Sequence, residues 1–163
     1  MDQSQGADDR WVRLSEAEAR RHPSFGLGGW LLVYLVYVGL IVAVGASELV
    51  DATHHREGMS TYRMAATLVV ALRMLLGLYS IYAAMRLRPV FVAVSIALIA
   101  LSAVSLLIDV VVFVASGHFS VLKTETVVIV LAELIFLAWF LYLRFSVRVN
   151  VTYLNRIPSR QTE

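Results

Sequence analysis

Four long stretches of the chain are almost wholly apolar, and in each the apolar residues occupy every face of a helix. The stretches run over residues 29–47, 64–85, 89–116 and 126–143. About 20 mostly apolar residues are enough for a helix to cross the roughly 30 Å of bilayer hydrocarbon. Strands of a membrane barrel would instead be about ten residues long and would alternate in polarity. The pattern therefore predicts an all-α fold, a four-helix transmembrane bundle over residues 29–143.

Basic residues mark one side of this predicted bundle. Ten of the 14 Lys and Arg residues lie before the first stretch, between the second and third, or after the fourth. The other two connections hold Arg56, Arg63 and Lys123. Because cytoplasmic loops retain positive charge, both termini are predicted to lie in the cytoplasm. Residues 1–28 then form a cytoplasmic N-terminal segment, and residues 144–163 form a cytoplasmic helical extension and tail.

The N-terminal segment is not expected to be a cleaved signal peptide. It mixes acidic with basic residues and has no apolar stretch before Trp30, so the first span is expected to stay in the protein as an anchor. Within it, Ser15-Glu16-Ala17-Glu18 is a capping-box pattern. That pattern predicts the start of a short amphipathic helix.

Composition excludes several classes of function. Hydrophobic residues make up 59% of the chain and charged residues 16%, against about 25% charged in an ordinary soluble domain. There is no cysteine, which excludes disulfides, thiol nucleophiles and cysteine-based metal sites. The pI near 9.2 does not predict nucleic-acid binding, because the basic residues lie beside the spans.

Three ionisable residues lie inside the predicted spans, namely Arg73, Asp109 and Glu133. Each costs roughly 2.5–3.5 kcal/mol on insertion scales, so such groups usually face the protein interior and have a partner. At a rise of about 1.5 Å per residue all three lie about 12–15 Å below the outer surface. In one hypothesis Arg73 bridges the two acids and fixes helix register. In the other, two acids against one base leave a carboxyl that holds a proton at a proton- or cation-coupled site.

Polar and small residues recur along one face of three spans. A seven-residue spacing keeps such a face toward a partner helix in a left-handed bundle, and small residues permit close helix approach. The polar stripe of the third span consists of Ser95, Ser102, Asp109 and Ser116. The small-residue stripes of the second and first spans are Gly77, Ser80, Ala84 and Gly39, Ala43, Ser47. These faces are predicted to line the bundle interior.

The first outer connection offers a weak metal-binding pattern. On a helical continuation Glu48, Asp51 and His55 would share a face and could bind zinc, but mixed loops of this kind are usually only solvated. No histidine lies in a span, which argues against haem ligation between helices. We therefore expect no metal and no cofactor. Asn150-Val151-Thr152 reads as a glycosylation acceptor but falls on the cytoplasmic side, so it is interpreted as chance.

Two short motifs flank the spans. The first is Gly28-Gly29-Trp30-Leu31. Its glycines separate the span from the preceding segment, and its Trp fixes the depth of the span at the membrane interface. The second lies after the fourth span and contains Ser146, Arg148, Val149, Thr152 and Tyr153. These positions step by three and four, which favours one face of a helix. The sequence predicts an extension of the fourth helix that ends before Pro158.

The two motifs together resemble those of domain-of-unknown-function family 2569, small bacterial four-span membrane proteins. That family opens with Gly-Gly-Trp-Leu and closes with Ser-x-Arg-Val-x-x-Thr-Phe. The resemblance covers residues 28–153, and Tyr153 stands where Phe is usual. It implies a bacterial inner-membrane protein with four spans and supplies no activity.

The function expected from these features is that of an accessory or interaction protein rather than an enzyme. It would dock beside a larger membrane complex or form a homo-oligomer. Its partners would be the lipid bilayer, with anionic lipids at the cytoplasmic face at about 1 kcal/mol per basic residue, and a membrane protein or a second copy. The alternative is a small proton- or cation-coupled transporter that uses Glu133 and Asp109 with Arg73.

Overall fold

The computed structural model describes residues 11–54, 61–115 and 122–159. The protein is mostly helical, as the all-α prediction requires. Its elements in chain order are β1 (Trp11–Arg13), α1 (Glu16–Arg21), α2 (Trp30–His54), α3 (Thr61–Met85), α4 (Val90–Ala115), α5 (Leu122–Phe145), α6 (Val147–Leu154) and β2 (Arg156–Pro158). Helices α2 to α5 overlap the four apolar stretches of the sequence.

Three helices are long and apolar enough to cross a membrane. The qualifying segments are Trp30–Ala52, Met64–Met85 and Val90–Ile108. A fourth is counted when the end of α5 and α6 are taken together as one broken span. Large apolar side chains on these helices remain exposed, with Leu68 at 71% and Val111 at 67%. In water such surfaces would be costly, whereas hydrocarbon accommodates them.

Consecutive long helices pack against one another, α2 on α3, α3 on α4 and α4 on α5. Glycines bring α2 and α3 close together. A Cβ at Gly77 would lie 2.7 Å from Cγ2 of Val42, and one at Gly45 would lie 3.6 Å from Cγ1 of Val70. Helices in lipid associate through close packing of small residues, and Gly77 sets the separation of this pair, since a Cβ at Gly45 would make only ordinary van der Waals contacts.

The small-residue stripe predicted for the first span is wrong. Ala43 and Ser47 are exposed, and a Cβ at Gly39 would meet nothing within 4 Å. The buried face of α2 instead carries Tyr34 and Val38, which are fully buried. Large side chains bury more area and fill the space between helices, so the helix turns this face inward and leaves Ala43 and Ser47 exposed.

The sequence predicts that the fourth helix continues without a break, and this prediction is wrong: α5 ends at Phe145 and α6 begins at Val147. Ser146 adopts an extended backbone (φ −64°, ψ 124°), and the axis bends by 57° between residues 134–145 and 147–154. The segment after the break is helical, ends before Pro158 and forms α6. It turns across the end of the bundle, where its buried face, which includes Val149 and Tyr153, packs on the core.

A two-stranded sheet joins the two ends of the described chain, a feature the sequence analysis did not predict. β1 pairs antiparallel with β2, with Val12 opposite Ile157. Helix α1 follows β1 and begins at Ser15 with the capping box that the sequence pattern predicts. We call residues 11–29 and 146–159 together the cap. It covers the end of the bundle where α2 and α4 begin and α3 and α5 end.

Candidate functional site

The two motifs that flank the spans meet in the cap, although more than 100 residues separate them in sequence. The backbone N–H of Gly26 donates to Oγ1 of Thr152 at 3.0 Å. Nη1 of Arg148 donates to the carbonyl of Gly26 at 3.5 Å, and the same atom would lie 3.3 Å from a Cβ at Gly28. A Cβ at Gly28 would therefore require the end of the Arg148 side chain to shift by a few tenths of an ångström.

The other motif residues shape the turn into α2 and the turn out of α5. Gly29 has a positive φ of 54°, a backbone conformation that glycine adopts at little cost. Trp30 begins α2 and is 69% exposed, which suits an aromatic anchor at a membrane interface. Val149 is fully buried, and Ser146 occupies the break between α5 and α6.

Tyr153 fastens α6 to the ends of α3 and α4. Its ring lies 4.3 Å from that of Phe91, centroid to centroid. Its hydroxyl donates to the carbonyl of Ala84 at 3.3 Å, near the end of α3. The ring supplies most of the buried contact, so the phenylalanine usual in the resembled family would keep the packing and lose only the hydrogen bond.

Asn150 is a key cap residue that the sequence analysis missed. It is fully buried, and its Nδ2 donates to the carbonyls of Ser146 at 2.8 Å and Arg144 at 3.3 Å. Its Oδ1 accepts from Nε of Arg156 at 2.7 Å. The side chain thus satisfies the carbonyl of Arg144 at the end of α5, adds a second donor to the carbonyl of Ser146 and links this bend to β2. The glycosylation-like pattern gave no sign of this role, which depends on the bend at Ser146.

The strand pair completes the cap. The backbone N–H of Leu14 donates to the carbonyl of Asn155 at 2.7 Å, and Asn155 ends α6 in the left-handed conformation. The guanidinium of Arg156 lies 5.0 Å from the ring centroid of Trp11, within cation–π range. In α1, hydrogen bonds from Ser15 hold the pKa of Glu18 below its usual value of 4.5, because they favour the charged carboxylate.

The surface around the cap is rich in arginine. Six arginines there are exposed: Arg13, Arg20, Arg21, Arg86, Arg88 and Arg144. Arg20 pairs with Glu16 at 2.7 Å, and Arg86 lies over the ring of Tyr82 at 5.8 Å. The other four have no carboxylate within ion-pair distance among the described residues. A pocket of about 400 Å³ between α1, α6 and the α3–α4 turn opens beside them, with Arg20, Phe25 and Asn155 in its lining.

A second group of polar side chains lies inside the bundle, one layer beyond the cap. Ser80 and Ser95 are fully buried, and their hydroxyls are 2.8 Å apart. Ser102 is 2% exposed, so both described serines of the predicted polar stripe face the interior; Ser116 lies outside the described residues. The hydroxyls of Tyr34 and Ser102 are buried and have no hydrogen-bond partner in the part of the chain that the structure describes.

Of the predicted charge cluster, the structure describes the side chain of Arg73 only. Asp109 lies on α4 and Glu133 on α5, but their side chains are outside the described part of the structure. Arg73 lies on α3 and is half-buried, and its Nε is buried with no hydrogen bond to any described residue. It lines a pocket of about 220 Å³ between α2 and α3, and Glu48 of α2 lines the same pocket. The proximity of Arg73 and Glu48 was not predicted from the sequence.

The weak metal pattern finds no support in the described residues. Glu48 and Asp51 are exposed on α2, and His55 lies outside the described residues. Among the residues the structure describes, no group of three or more His, Asp or Glu side chains could hold a metal ion.

Three to four long apolar helices with exposed apolar faces define a multi-pass helical membrane protein. Comparison with protein-family models, with curated proteins and with solved structures gives no match. The resemblance to domain-of-unknown-function family 2569 therefore remains a prediction, which rests on the two sequence motifs.

Proposed function

We propose that this protein is an accessory or interaction protein of a bacterial inner membrane, and that the cap is the surface through which it docks. The observation that carries this proposal is the construction of the cap. Gly26, two residues before the first motif, is hydrogen-bonded to Thr152 and Arg148 of the second, so the two ends of the chain are held against each other. Arginines without carboxylate partners among the described residues surround it and favour an acidic surface on a membrane protein, with anionic lipids as additional ligands.

In this proposal the chain has four spans, and the cap lies in the cytoplasm with both termini. The distribution of arginine supports that orientation. The natural protein has no cysteine, so a single introduced cysteine can be labelled without background. A membrane-impermeant maleimide applied to intact cells should leave Ser159→Cys unlabelled and should label Glu57→Cys. The reverse labelling, or labelling of both, would contradict the orientation.

The docking function is tested by photocrosslinking in native membranes. A photoreactive amino acid at Arg88, which is exposed beside the cap, should yield a defined protein adduct. The same amino acid at Leu68, which is 71% exposed in the middle of α3, serves as the lipid-facing control. The adduct should weaken in an Arg86→Glu, Arg144→Glu variant and should co-purify with the uncrosslinked protein. Adducts that are equal at both positions, or that ignore the charge reversal, would contradict docking through the cap.

A second candidate function is a small proton- or cation-coupled transporter that uses Glu133 and Asp109 with Arg73. It is favoured by the buried Nε of Arg73, which has no hydrogen bond to the described residues and lies on a helix of membrane-spanning length. A flux in liposomes that depends on a pH gradient and is lost in Glu133→Gln would support it. Thermal stability of Arg73→Ala, Glu133→Gln and the double variant separates the hypotheses, because paired charges give a double variant that recovers much of the loss.

A further inference from the structure

The pocket of about 400 Å³ beside the cap is built from both ends of the chain and from the turn between α3 and α4. Its volume falls within the range of about 300–1,000 Å³ that is typical of ligand sites. Thr152 and Tyr153 form its floor, since they line it and are only 4% and 3% exposed. Its apolar walls are Phe25, Leu87, Pro89 and Leu154. The cap therefore offers a concave apolar surface at the end of the bundle.

Leu87 lines this pocket in a backbone conformation that leucine rarely adopts. It follows α3 and lies in the left-handed region, with a φ of 52°. The backbone N–H groups of Leu87 and Arg88 donate to the carbonyls of Ala84 and Ala83 at 3.0 and 2.9 Å, which is a helix ending that usually has glycine at this position. Glycine adopts such a φ without the strain that a Cβ causes. The turn by itself would therefore favour glycine over leucine.

Packing within the chain does not account for this leucine either. Leu87 is 37% exposed, and it belongs to neither apolar cluster of the described residues. Phe25 and Leu154, in contrast, pack against those clusters and are held in place by them. Leu87 thus strains the turn without packing in the core, and its side chain is available to a molecule that enters the pocket.

The surroundings of the pocket are basic. The cap contains five arginines and two acidic residues, and both acids are engaged within α1. The carboxylate of Glu18 accepts from the backbone N–H of Ser15 at 2.8 Å, and Glu16 pairs with Arg20 at the edge of the pocket. That pair uses Nη2 of Arg20, and a guanidinium has five N–H donors. Arg20 can therefore bind a second carboxylate beside the pocket.

From this pocket we infer that the cap binds an acidic segment of its partner membrane protein, and that this segment carries a bulky apolar side chain. The apolar side chain fills the pocket against Phe25, Leu87 and Leu154, and a neighbouring carboxylate binds Arg20. An apolar anchor in a pocket with a charged rim is the usual construction of an interface hot spot. Leu87 determines the specificity for the anchor. The inference rests on docking through the cap and names the chemistry of the segment that docks.

The pocket is tested by the binding of two synthetic peptides to the full chain in phosphatidylcholine nanodiscs. The peptides are Asp-Glu-Trp-Asp-Glu and Asp-Glu-Ala-Asp-Glu, both with blocked ends and the same fluorophore, and their binding is measured by fluorescence anisotropy. We expect the tryptophan peptide to bind about tenfold more tightly, because its ring is buried in the pocket. Leu87→Asn should remove this preference. Leu27→Asn is the matched control, since Leu27 is an exposed leucine of the cap outside the pocket lining, and it should keep the preference.

Stability separates a role of Leu87 in binding from a role in folding. Glycine and asparagine both tolerate the left-handed conformation. Leu87→Gly and Leu87→Asn should therefore unfold at the same temperature as the natural protein or at a higher one, although both lose the preference for the tryptophan peptide. A lower unfolding temperature in Leu87→Gly would show that the fold requires the leucine and would overturn the inference.

The contribution of charge has its own matched pair of variants. Arg20→Gln should weaken the binding of both peptides, because it removes the partner of their carboxylates. Glu16→Gln breaks the same ion pair but keeps the arginine and removes a carboxylate from the edge of the pocket, so it should strengthen the binding of both. An equal effect of the two variants would contradict the binding of a carboxylate at Arg20.

Equal affinity of the two peptides for the natural protein would overturn the inference, as would a preference that persists in Leu87→Asn. A photoreactive phosphatidylglycerol that crosslinks to Leu87 and is not displaced by the tryptophan peptide would assign the pocket to a lipid and would also overturn it. The adduct formed from position 88 in native membranes distinguishes this failure from a failure of docking. An adduct that forms equally in Leu87→Asn leaves docking intact and contradicts the pocket, whereas the absence of any adduct contradicts docking and the pocket with it.

Discussion

The cap and the bundle solve the burial of polar groups in different ways. In the cap, Asn150 and Thr152 are buried and hydrogen-bonded to backbone groups far away in sequence or around the bend after α5. In the bundle, the helices satisfy their own backbones, and the buried hydroxyls of Tyr34 and Ser102 have no partner among the described residues. The cap is therefore specified mainly by directional bonds, whereas the bundle combines the hydrogen bond between Ser80 and Ser95 with the close approach of its helices.

The largest expected effect is on the cap, at Asn150. Asn150→Ala removes the side-chain hydrogen bonds to the carbonyls of Arg144 and Ser146 and the acceptor for Nε of Arg156, and it opens a cavity. We expect a loss of about 2–4 kcal/mol of stability, measured as thermal unfolding in detergent. Asn150→Asp is the matched control, because it keeps the acceptor for Arg156 and removes the two donors. A change below about 0.5 kcal/mol in Asn150→Ala would show that the cap does not depend on these bonds.

The bundle should respond most to packing between α2 and α3. In Gly77→Ala the new Cβ would lie 2.7 Å from Cγ2 of Val42, so the helices must move apart. We expect a loss of about 1–2 kcal/mol, even though alanine favours the helix. Gly39→Ala is the control in the same helix pair, since its Cβ meets nothing within 4 Å. Equal thermal stability of the two variants would contradict the assignment of Gly77 to the contact.

Buried hydroxyls of the bundle should matter less than those of the cap. Tyr34→Phe removes a hydroxyl that has no partner among the described residues and keeps the contact of the ring with Phe91. Its stability should therefore change by less than about 1 kcal/mol. Tyr153→Phe, which loses a hydrogen bond to Ala84, is the comparison in the cap. A larger loss in Tyr34→Phe than in Tyr153→Phe would reverse the contrast.

The smallest effect is expected from pH at α1. The pKa of Glu18 is lowered by its hydrogen bonds with Ser15, so the carboxylate stabilises the folded cap at neutral pH. This contribution is present above the unfolded value of 4.5 and is lost as pH falls through the lower folded value. Hydrogen exchange of the α1 amides, corrected for the intrinsic effect of pH, should lose protection below pH 4.5 in the natural protein. It should already be faster at neutral pH in Glu18→Ala, and identical exchange in both proteins at neutral pH would contradict the role of the capping box.

Much of the fold could be predicted because its signals are local. Each apolar stretch is long enough to be a membrane-spanning helix on its own, and the capping box at Ser15 specifies the start of α1 within four residues. The seven-residue spacing of Ser95 and Ser102 also indicated their buried face. For the first span the same reasoning failed. The spacing predicts Gly39, Ala43 and Ser47 on the face of α2 that packs in the bundle, whereas the buried side chains of that face are Tyr34 and Val38.

The sequence by itself determined the class of protein, since hydropathy over a length of about 20 residues depends on no distant contact. Only the tertiary structure decided how the two flanking motifs relate. The bend at Ser146 brings Thr152 to Gly26, allows β1 to pair with β2 and gives Asn150 its role. The packing of α2 on α3 likewise brings Glu48 and Arg73 to one pocket, although they lie on different helices. Such contacts join residues far apart in the chain, and no local pattern of residues encodes which distant group will satisfy a buried donor or acceptor.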